Sequence, residues 1–286
     1  MKFAHILSRL TSEPWFITPD ALAAITSLLE ARLARGVLME AAGDMPAVED
    51  PCEPELPDVA IVRVHGVLGQ HLSLMEKICG GVDYADIVER VAGAVADPAV
   101  SSIVLHINSR GGMAIGCGEC YGQLMRLRAS TAKPIIAFVD GICCSAAMYI
   151  AAASSAIICT ESAMLGSIGT ILTVEDHTEK NAKEGIKRFA IKSASMKDIG
   201  SPDRPMTAEE KSILQQRVDF LGGMFVRDFT AGRSAVGAVV SPEVFATALT
   251  WFGQQAVDRG LADEVVPSLP DFLARFTVSG PAASAS

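Results

Sequence analysis

Four short runs of apolar residues, alternating with stretches of helical periodicity, constrain the fold of this chain more than any other feature. The apolar runs lie at residues 59–64 (VAIVRV), 102–107 (SIVLHI), 134–139 (PIIAFV) and 155–159 (SAIIC). Helices are predicted between them at about 83–96, 113–129 and 145–153. Strands that are apolar on both faces and alternate with helices are typical of a largely parallel sheet covered by helices. We therefore predict an α/β domain.

The rest of the chain divides into a main domain and flanking segments. An acidic, proline-containing stretch is typical of a linker, and the low-complexity end GPAASAS is typical of a disordered terminus. We predict a helical appendage, a linker, a main domain and a tail with a disordered end, at residues 1–40, 41–57, 58–266 and 267–286 respectively. In the appendage we expect a helix over 19–35 with Asp20 as its N-cap. In the main domain we expect a strand at 188–192 and an amphipathic helix at about 207–231.

Composition argues against several classes of protein. The net charge is −9 and no cluster of Lys or Arg is present, which argues against a nucleic-acid-binding surface. Half of the residues are hydrophobic, enough for a sizeable core without disulfides or metals. The seven cysteines are scattered, and the lone CxxC of Cys117 and Cys120 lies in a predicted helix. We therefore expect buried, reduced thiols and no metal site.

No secretory signal peptide is predicted, because MKFAHILSRLTSEPWF lacks an uninterrupted apolar stretch followed by a small-residue cleavage site. The most apolar stretch, 134–165, is interrupted by Asp140, Gly141 and Glu161. A membrane-spanning helix needs about 20 predominantly apolar residues. We interpret this stretch as core and expect a cytoplasmic protein without a membrane anchor.

The segment Asn108-Ser109-Arg110-Gly111-Gly112 follows the predicted strand SIVLHI and precedes a helix. Paired glycines let the backbone turn sharply and aim N–H groups at a ligand. Such a loop suits an oxyanion hole or a phosphate cradle, although its spacing matches neither common nucleotide-binding motif. An ordinary strand-to-helix turn is an equally good interpretation of these residues alone.

Ser145 occupies the corresponding place after the strand PIIAFV, where a turn enters the helix AAMYIAAA. A serine there can point its hydroxyl out of the sheet edge, beside helix N–H groups that would face a developing oxyanion. Serine is also a common helix N-cap. Taken alone, the residues favour the cap over the nucleophile.

A nucleophilic serine needs a base, and none of the five histidines lies in a recognisable triad motif. A desolvated lysine is the alternative. Lys197, in the segment ASMKDIGSP, is the candidate, and Lys192 is a second one that the residues do not exclude. Ser167, in LGSIG, is either part of a turn or a group that orients the lysine.

The order of these motifs is more informative than each motif alone. The series INSRGG, DGICCSAAMYIAAAS, LGSIG, IKSASMKDIGSP and GQQAVDRGLADEV resembles the signal-peptide-peptidase A family of serine peptidases over roughly residues 58–266. Within that family the chain is similar to the head-maturation proteases (minor capsid protein C type) of tailed phages and prophages. Its segment SEPWFITPDAL also resembles the N-terminal region of these phage proteases. The resemblance implies a ClpP/crotonase-like fold of stacked β–β–α units that assembles into homo-oligomeric rings.

The resemblance also implies roles for particular residues. Ser145 matches the nucleophile, Lys197 the general base and Ser167 the serine that orients the lysine. The backbone N–H groups of Gly112 and Ala146 would form the oxyanion hole. This chemistry needs no metal or cofactor. The implied substrates are peptides or proteins, such as capsid, scaffold or portal proteins, processed in the bacterial cytoplasm or within a procapsid.

Three features depart from the family pattern. Arg110 replaces the proline of Asn-Ser-Pro-Gly-Gly, Ala146 and Ala147 replace two glycines, and no counterpart of the cellular peptidases' membrane anchor is recognised. The first two would narrow or re-aim the site and leave the dyad intact, and the third removes signal-peptide processing as the default role. Three other hypotheses stay open: a cytoplasmic protein-degrading peptidase, an assembly component with a vestigial dyad, and an acyl-CoA hydratase or isomerase.

Overall fold

A computed structural model describes residues 13–34, 56–78 and 80–277, which form three β-sheets and the helices packed against them. The strands are β1 (Trp15–Ile17), β2 (Val59–His65), β3 (Val67–Gly69), β4 (Gly81–Asp83), β5 (Ser102–Asn108), β6 (Gly111–Met113), β7 (Ile135–Val139), β8 (Ile142–Cys144), β9 (Ala156–Cys159), β10 (Met164–Gly166), β11 (Thr250–Phe252) and β12 (Glu264–Val265). The helices are α1 (Pro19–Ala34), α2 (Leu74–Ile78), α3 (Tyr84–Ala96), α4 (Cys117–Ser130), α5 (Ala146–Ala151), α6 (Thr178–Lys183), α7 (Ala208–Ser234), α8 (Pro242–Thr247), α9 (Gly253–Val257) and α10 (Leu269–Thr277). None of these helices is both long and apolar enough to cross a membrane. Most of the predicted linker and the end of the predicted tail lie outside the described residues.

The central sheet has five strands in the order β12-β9-β7-β5-β2, and every neighbouring pair is parallel. Its longer strands are the apolar runs of the sequence. In β5, the residues from Ser102 to Ile107 are buried in succession. A strand covered on both faces needs apolar side chains on both, which is why these runs do not alternate with polar residues. The predicted α/β class with a largely parallel sheet is confirmed.

Long strands of the central sheet are followed by a short strand in one of the two smaller sheets and then by a helix. This β–β–α unit recurs as β2-β3-α3, β5-β6-α4 and β7-β8-α5, with α2 and β4 inserted in the first unit. The smaller sheets have the orders β1-β6-β3-β4 and β11-β10-β8. The stacked units expected of a ClpP/crotonase-like fold are therefore present.

Helix α5 is buried, and its packing fixes the turn that precedes it. All of its residues are buried. Tyr149 stacks on Phe225 of α7 with ring centroids 4.5 Å apart, and its hydroxyl donates to the Asp228 carboxylate at 2.5 Å. Burial, together with that carboxylate, raises the pKa of the Tyr149 phenol, so the hydroxyl remains a donor. These contacts hold α5, and with it Ser145, in place.

The N-terminal segment belongs to the same fold. Strand β1 is buried and pairs antiparallel with β6, while Trp15 also forms an antiparallel bridge with Ile171. The helix predicted over 19–35 is observed as Pro19–Ala34. Asp20 therefore lies inside the first turn and is not the N-cap, because Pro19 takes the first helical position, where its missing N–H costs nothing.

The strand predicted at 188–192 is wrong. Residues 186–192 form no regular element, and Phe189 and Ile191 are 83% and 100% exposed. A strand needs a hydrogen-bonding edge, and within the described ranges no strand pairs with this segment. The long helix that follows is confirmed and runs further than predicted, from a capping box of Thr207 and Glu210 to Ser234.

Candidate active site

Ser145 lies in the turn between β8 and α5, in a backbone conformation that residues other than glycine avoid. Its φ is 56° and its ψ is −117°, which costs strain that the surrounding structure has to hold. The side chain is completely buried. Its amide donates to the carbonyl oxygen of Gly166 at 2.8 Å, and its hydroxyl oxygen lies 3.5 Å from the carbonyl oxygen of Gly169. The hydroxyl forms no capping hydrogen bond with α5, so helix capping does not explain this serine.

Ser167 lies beside Ser145 because of the register of two parallel strands. Cys144, at the end of β8, pairs with Gly166, at the end of β10, so the next residue of each strand is a serine. Ser167 also has a positive φ, 55°, and its amide donates to the carbonyl oxygen of Leu249 at 2.8 Å. The fold thus brings the two predicted serines together.

The glycine loop before β6 is anchored to β8 through Ser109, a residue to which the sequence analysis gave no separate role. The amide of Ser109 donates to the carbonyl oxygen of Ile142 at 2.6 Å, and its carbonyl oxygen accepts from the amide of Cys144 at 3.0 Å. Its hydroxyl donates to the carbonyl oxygen of Gly66 at 2.6 Å and accepts from the amide of Gly111 at 3.1 Å. Ser109 is therefore a positioning residue for the loop.

Gly112 lies in β6, where its surroundings admit no side chain. A Cβ atom there would lie 2.0 Å from the carbonyl oxygen of Leu68 in β3. Ala146 directly follows Ser145 as the first residue of α5, so its amide has no acceptor within the helix. Both predicted oxyanion donors therefore lie on segments that adjoin the end of β8.

We expect Gly112→Ala to destabilise the fold. The added methyl group would force β6 away from β3, and overpacking of this kind costs about 1–3 kcal/mol. The measurement is the free energy of unfolding from urea denaturation followed by circular dichroism. Gly93→Ala is the matched control, because a Cβ at Gly93 in α3 meets no atom within 4 Å and alanine favours a helix. Equal stability of the two variants would contradict the close approach of β6 to β3.

Lys197 lies in a turn at 195–200 and is exposed. Its amide donates to the carbonyl oxygen of Ala194 at 3.2 Å. Its ammonium group forms no hydrogen bond or ion pair with any residue that the structure describes. Within the described chain, Lys197 is therefore in contact with neither Ser145 nor Ser167.

The rival lysine, Lys192, is engaged elsewhere. Its ammonium donates to the carboxylate of Asp198, which also accepts from Arg204 at 3.0 Å. Arg204 in turn donates to Glu210 at 2.8 Å and lowers the pKa of that carboxyl to about 2. The ammonium of Lys192 is thus committed to an ion pair, whereas that of Lys197 has no partner among the described residues.

Arg110, the residue in place of the family's proline, contacts the N-terminal segment. Its guanidinium donates to the Asp20 carboxylate at 2.7 Å, and its carbonyl oxygen accepts from the amide of Thr18 at 3.1 Å. The sequence offers no signal for this contact, because 90 positions separate Asp20 from Arg110. The site thus has a wall, formed by β1 and the start of α1, that the motifs did not predict.

The described cysteines around the site are buried thiols, as predicted. Cys117, Cys120, Cys143, Cys144 and Cys159 are all free and buried. Burial raises the pKa of the Cys120 and Cys144 thiols to about 12, which keeps them protonated at neutral pH. They pack as small apolar side chains. Cys52 and Cys79 lie outside the described residues.

The chain is similar in sequence to known peptidases. Residues 128–269 match the description "Peptidase family S49". The capsid assembly protease C of Escherichia phage lambda is 31% identical over 210 residues, which cover 73% of this chain and 47% of that protein. The head-tail preconnector protein GP5 of Enterobacteria phage P21 is 32% identical over 209 residues, which cover 73% of this chain and 40% of that protein. This chain therefore spans less than half the length of either relative.

Among solved structures, a mutant of the 1510-N membrane-bound stomatin-specific protease aligns with a TM-score of 0.43 and 13% identity, over 76% of this chain and 84% of that one. The sequence match to the family includes Ser145, Ser167 and Lys197. The two phage relatives agree with the branch that the motif series resembles. The chain therefore contains a region, residues 128–269, that is similar to peptidase family S49.

Proposed function

We propose that the chain is a serine endopeptidase in which Ser145 is the nucleophile, Lys197 the general base and Ser167 the group that orients the lysine. One observation carries the proposal: Ser145 is held in a strained turn, and its hydroxyl is not used to cap the helix that follows. Strain of this kind persists only where the surrounding structure enforces it, and it clusters at active sites. Similarity to a peptidase family over residues 128–269 supports this class of reaction.

In the proposed reaction, neutral Lys197 accepts the proton of the Ser145 hydroxyl as its oxygen attacks the carbonyl carbon of a peptide bond. The amides of Gly112 and Ala146 donate to the oxyanion of the tetrahedral intermediate, and loss of one such donor typically costs about 100- to 1,000-fold in rate. The lysine then gives its proton to the leaving amine, and the acyl group stays on Ser145. Lys197 next takes a proton from the water that attacks the ester, and returns it to the Ser145 oxygen as the carboxylic acid product leaves.

We further propose that Lys197 is supplied by a neighbouring copy in a ring-shaped homo-oligomer. The lysine is exposed, and the segment that carries it also exposes Phe189 and Ile191. Adjacent exposed apolar side chains are typical of a surface that another chain covers. Assembly would remove water from Lys197, and desolvation favours the neutral amine that the reaction needs.

The proposed substrates are capsid, scaffold or portal proteins, cleaved during head maturation in the host cytoplasm or inside a procapsid. The support is the similarity to phage proteins named for capsid assembly and for the head-tail preconnector. Extended or unfolded segments are the expected form of the substrate, because hydrolysis needs access to the backbone.

Labelling with a serine-directed acylating probe, such as a β-lactone, tests the nucleophile. We expect intact-protein mass spectrometry and peptide mapping to find a single adduct on Ser145 and none in Ser145→Ala. Ser130→Ala is the matched control, because Ser130 is an exposed serine at the end of α4. Labelling that persists in Ser145→Ala would refute the assignment, and binding of CoA in place of labelling would favour a hydratase or isomerase.

A further inference from the structure

Strand β1 is paired along both of its edges, as a peptide bound in a groove would be. On one edge it lies antiparallel to β6. On the other edge Trp15 and Ile171 exchange two backbone hydrogen bonds, of 2.9 Å and 3.0 Å. Ile171 lies two residues after Gly169, whose carbonyl oxygen is 3.5 Å from the Ser145 hydroxyl. The groove that holds β1 therefore runs between the glycine loop and the segment that borders the nucleophile.

The backbone of β1 also forms a hydrogen bond with the Gly112 amide, which the proposed mechanism needs as an oxyanion donor. Two hydrogen-bonded pairs lie two residues before and two residues after Phe16. The amide of Thr18 donates to the carbonyl oxygen of Arg110 at 3.1 Å, and the amide of Ala114 donates to the carbonyl oxygen of Pro14 at 3.3 Å. Hydrogen-bonded pairs alternate along an antiparallel ladder, so Phe16 and Gly112, midway between them, exchange both of their bonds. The amide of Gly112 thus donates to the Phe16 carbonyl, while Ser145 is 0% exposed. The described conformation leaves neither group open to a substrate.

The side chain of Phe16 fills an aromatic site. Its ring centroid lies 4.9 Å from that of Phe225 and 5.8 Å from that of Tyr149. A cavity of about 350 Å³, lined mostly by apolar residues before and within α4, α5 and α7, adjoins it. If β1 left, the vacated space and this cavity would together accept a large apolar side chain.

The ion pair between the glycine loop and the start of α1 adds little to the attachment of β1. The side chains of the Arg110–Asp20 ion pair are 43% and 66% exposed, and an exposed pair of this kind contributes about 0–1 kcal/mol. Strand β1 itself is only three residues long. The attachment of β1 therefore depends on its backbone pairing and on the burial of Trp15, Phe16 and Ile17, which are the interactions that a competing apolar peptide would supply.

We propose that this groove is the peptide-binding groove and that β1 is its intramolecular occupant, which keeps the chain latent until the segment is displaced. The inference rests on the proposed function, since it names the ligand and the regulation of the same nucleophile. The groove binds an extended peptide through backbone hydrogen bonds on both edges, with a large apolar side chain at the position of Phe16. A substrate has to compete with a tethered strand whose effective concentration is on the order of millimolar.

A reversible cross-link tests whether β1 has to leave. Trp15 and Met113 face each other as a non-hydrogen-bonded pair, and Cα atoms in such pairs lie about 4.5 Å apart, within reach of a disulfide. In the full chain with Trp15→Cys and Met113→Cys, oxidation by diamide should slow acylation of Ser145 at least about tenfold, and reduction should restore it. The two single variants, which cannot form this bond, are the controls. Equal acylation rates in both states, with the cross-link verified by mass, would overturn the proposal.

Peptide binding separates this inference from the proposed chemistry. The same double variant carrying Ser145→Ala is titrated against a fluorescein-labelled peptide, EPWFITPD, with the sequence of residues 13–20. Fluorescence anisotropy should show at least about tenfold tighter binding to the reduced protein than to the oxidised one, and weaker binding of the peptide with Phe16→Ala. Equal binding to the oxidised and the reduced protein would refute the assignment of this groove to peptide binding, whatever the acylation rates are. Binding that depends on the redox state, without acylation of the parent chain, would uphold the groove and refute the nucleophile.

Discussion

Replacing Ser145 by alanine will abolish hydrolysis of an unfolded protein, with a loss on the order of 10,000- to 1,000,000-fold, as for other serine nucleophiles. The substitution removes the attacking oxygen and adds no atom to a fully buried position. Stability should change little. Loss of an N-cap serine usually costs about 1 kcal/mol, but the hydroxyl of Ser145 makes no capping bond. Release of fluorescence from labelled casein measures the activity, and thermal unfolding measures the stability.

Two outcomes would contradict this assignment. Hydrolysis that survives in purified Ser145→Ala would place the nucleophile elsewhere. Full loss of activity together with a large fall in the unfolding temperature would show that the serine serves the fold. Ser130→Ala is the control, because it replaces an exposed serine at the end of α4. This variant should retain the activity of the parent chain. An inactive variant that still assembles particles would also show which part of the role belongs to assembly.

Lys197→Ala is expected to lower the same activity about 1,000-fold, within the range of 100 to 10,000 that general acid–base catalysis contributes. Lys192→Ala is the matched control, since it removes an exposed lysine from the same segment. Lys192 is held by Asp198, so its loss should change activity only by a small factor. If Lys192→Ala were the inactive variant and Lys197→Ala the active one, the general base would be Lys192 and our assignment would be wrong.

Mixing the two inactive variants decides which subunit supplies the lysine. Ser145→Ala and Lys197→Ala chains, unfolded together and reassembled in equal amounts, should recover about a quarter of the wild-type activity if each site takes its serine and its lysine from adjacent copies at random. Each variant reassembled alone should stay inactive. No recovery in mixed oligomers, verified by native mass spectrometry, would place both groups in one chain and require the segment around Lys197 to fold onto its own Ser145.

The sequence predicts secondary structure best where a run of apolar residues has one physical explanation. The apolar runs became β2, β5, β7 and β9 because a parallel strand buried on both faces tolerates little else. The prediction at 188–192 is wrong because short apolar runs become strands only where a partner offers a hydrogen-bonding edge, and exposed Phe189 and Ile191 have none among the described strands. Helix α4 begins at Cys117, later than predicted, because Gly111–Met113 is taken up by β6.

For the site, the sequence supplied the motifs and left their meaning open. It could not separate a cap from a nucleophile at Ser145, since both place a serine before a helix. The backbone angles and the missing capping bond argue against the cap, and the nucleophile is our proposal. Nor could it set Lys197 above Lys192 without the family resemblance. The ion pair of Lys192 with Asp198 is a contact between side chains whose geometry no spacing rule gives.

The four apolar strands, the helices between them and the resemblance to a peptidase family follow from the sequence alone, because each depends on local periodicity or on contiguous motifs. The placement of Ser167 beside Ser145, the role of Ser109 and the contact of Arg110 with Asp20 come only from the tertiary structure. The same is true of the insertion of β1 beside Gly112, which a search of local patterns cannot find. The reason is that strand pairing joins residues about a hundred positions apart through backbone atoms common to every residue type.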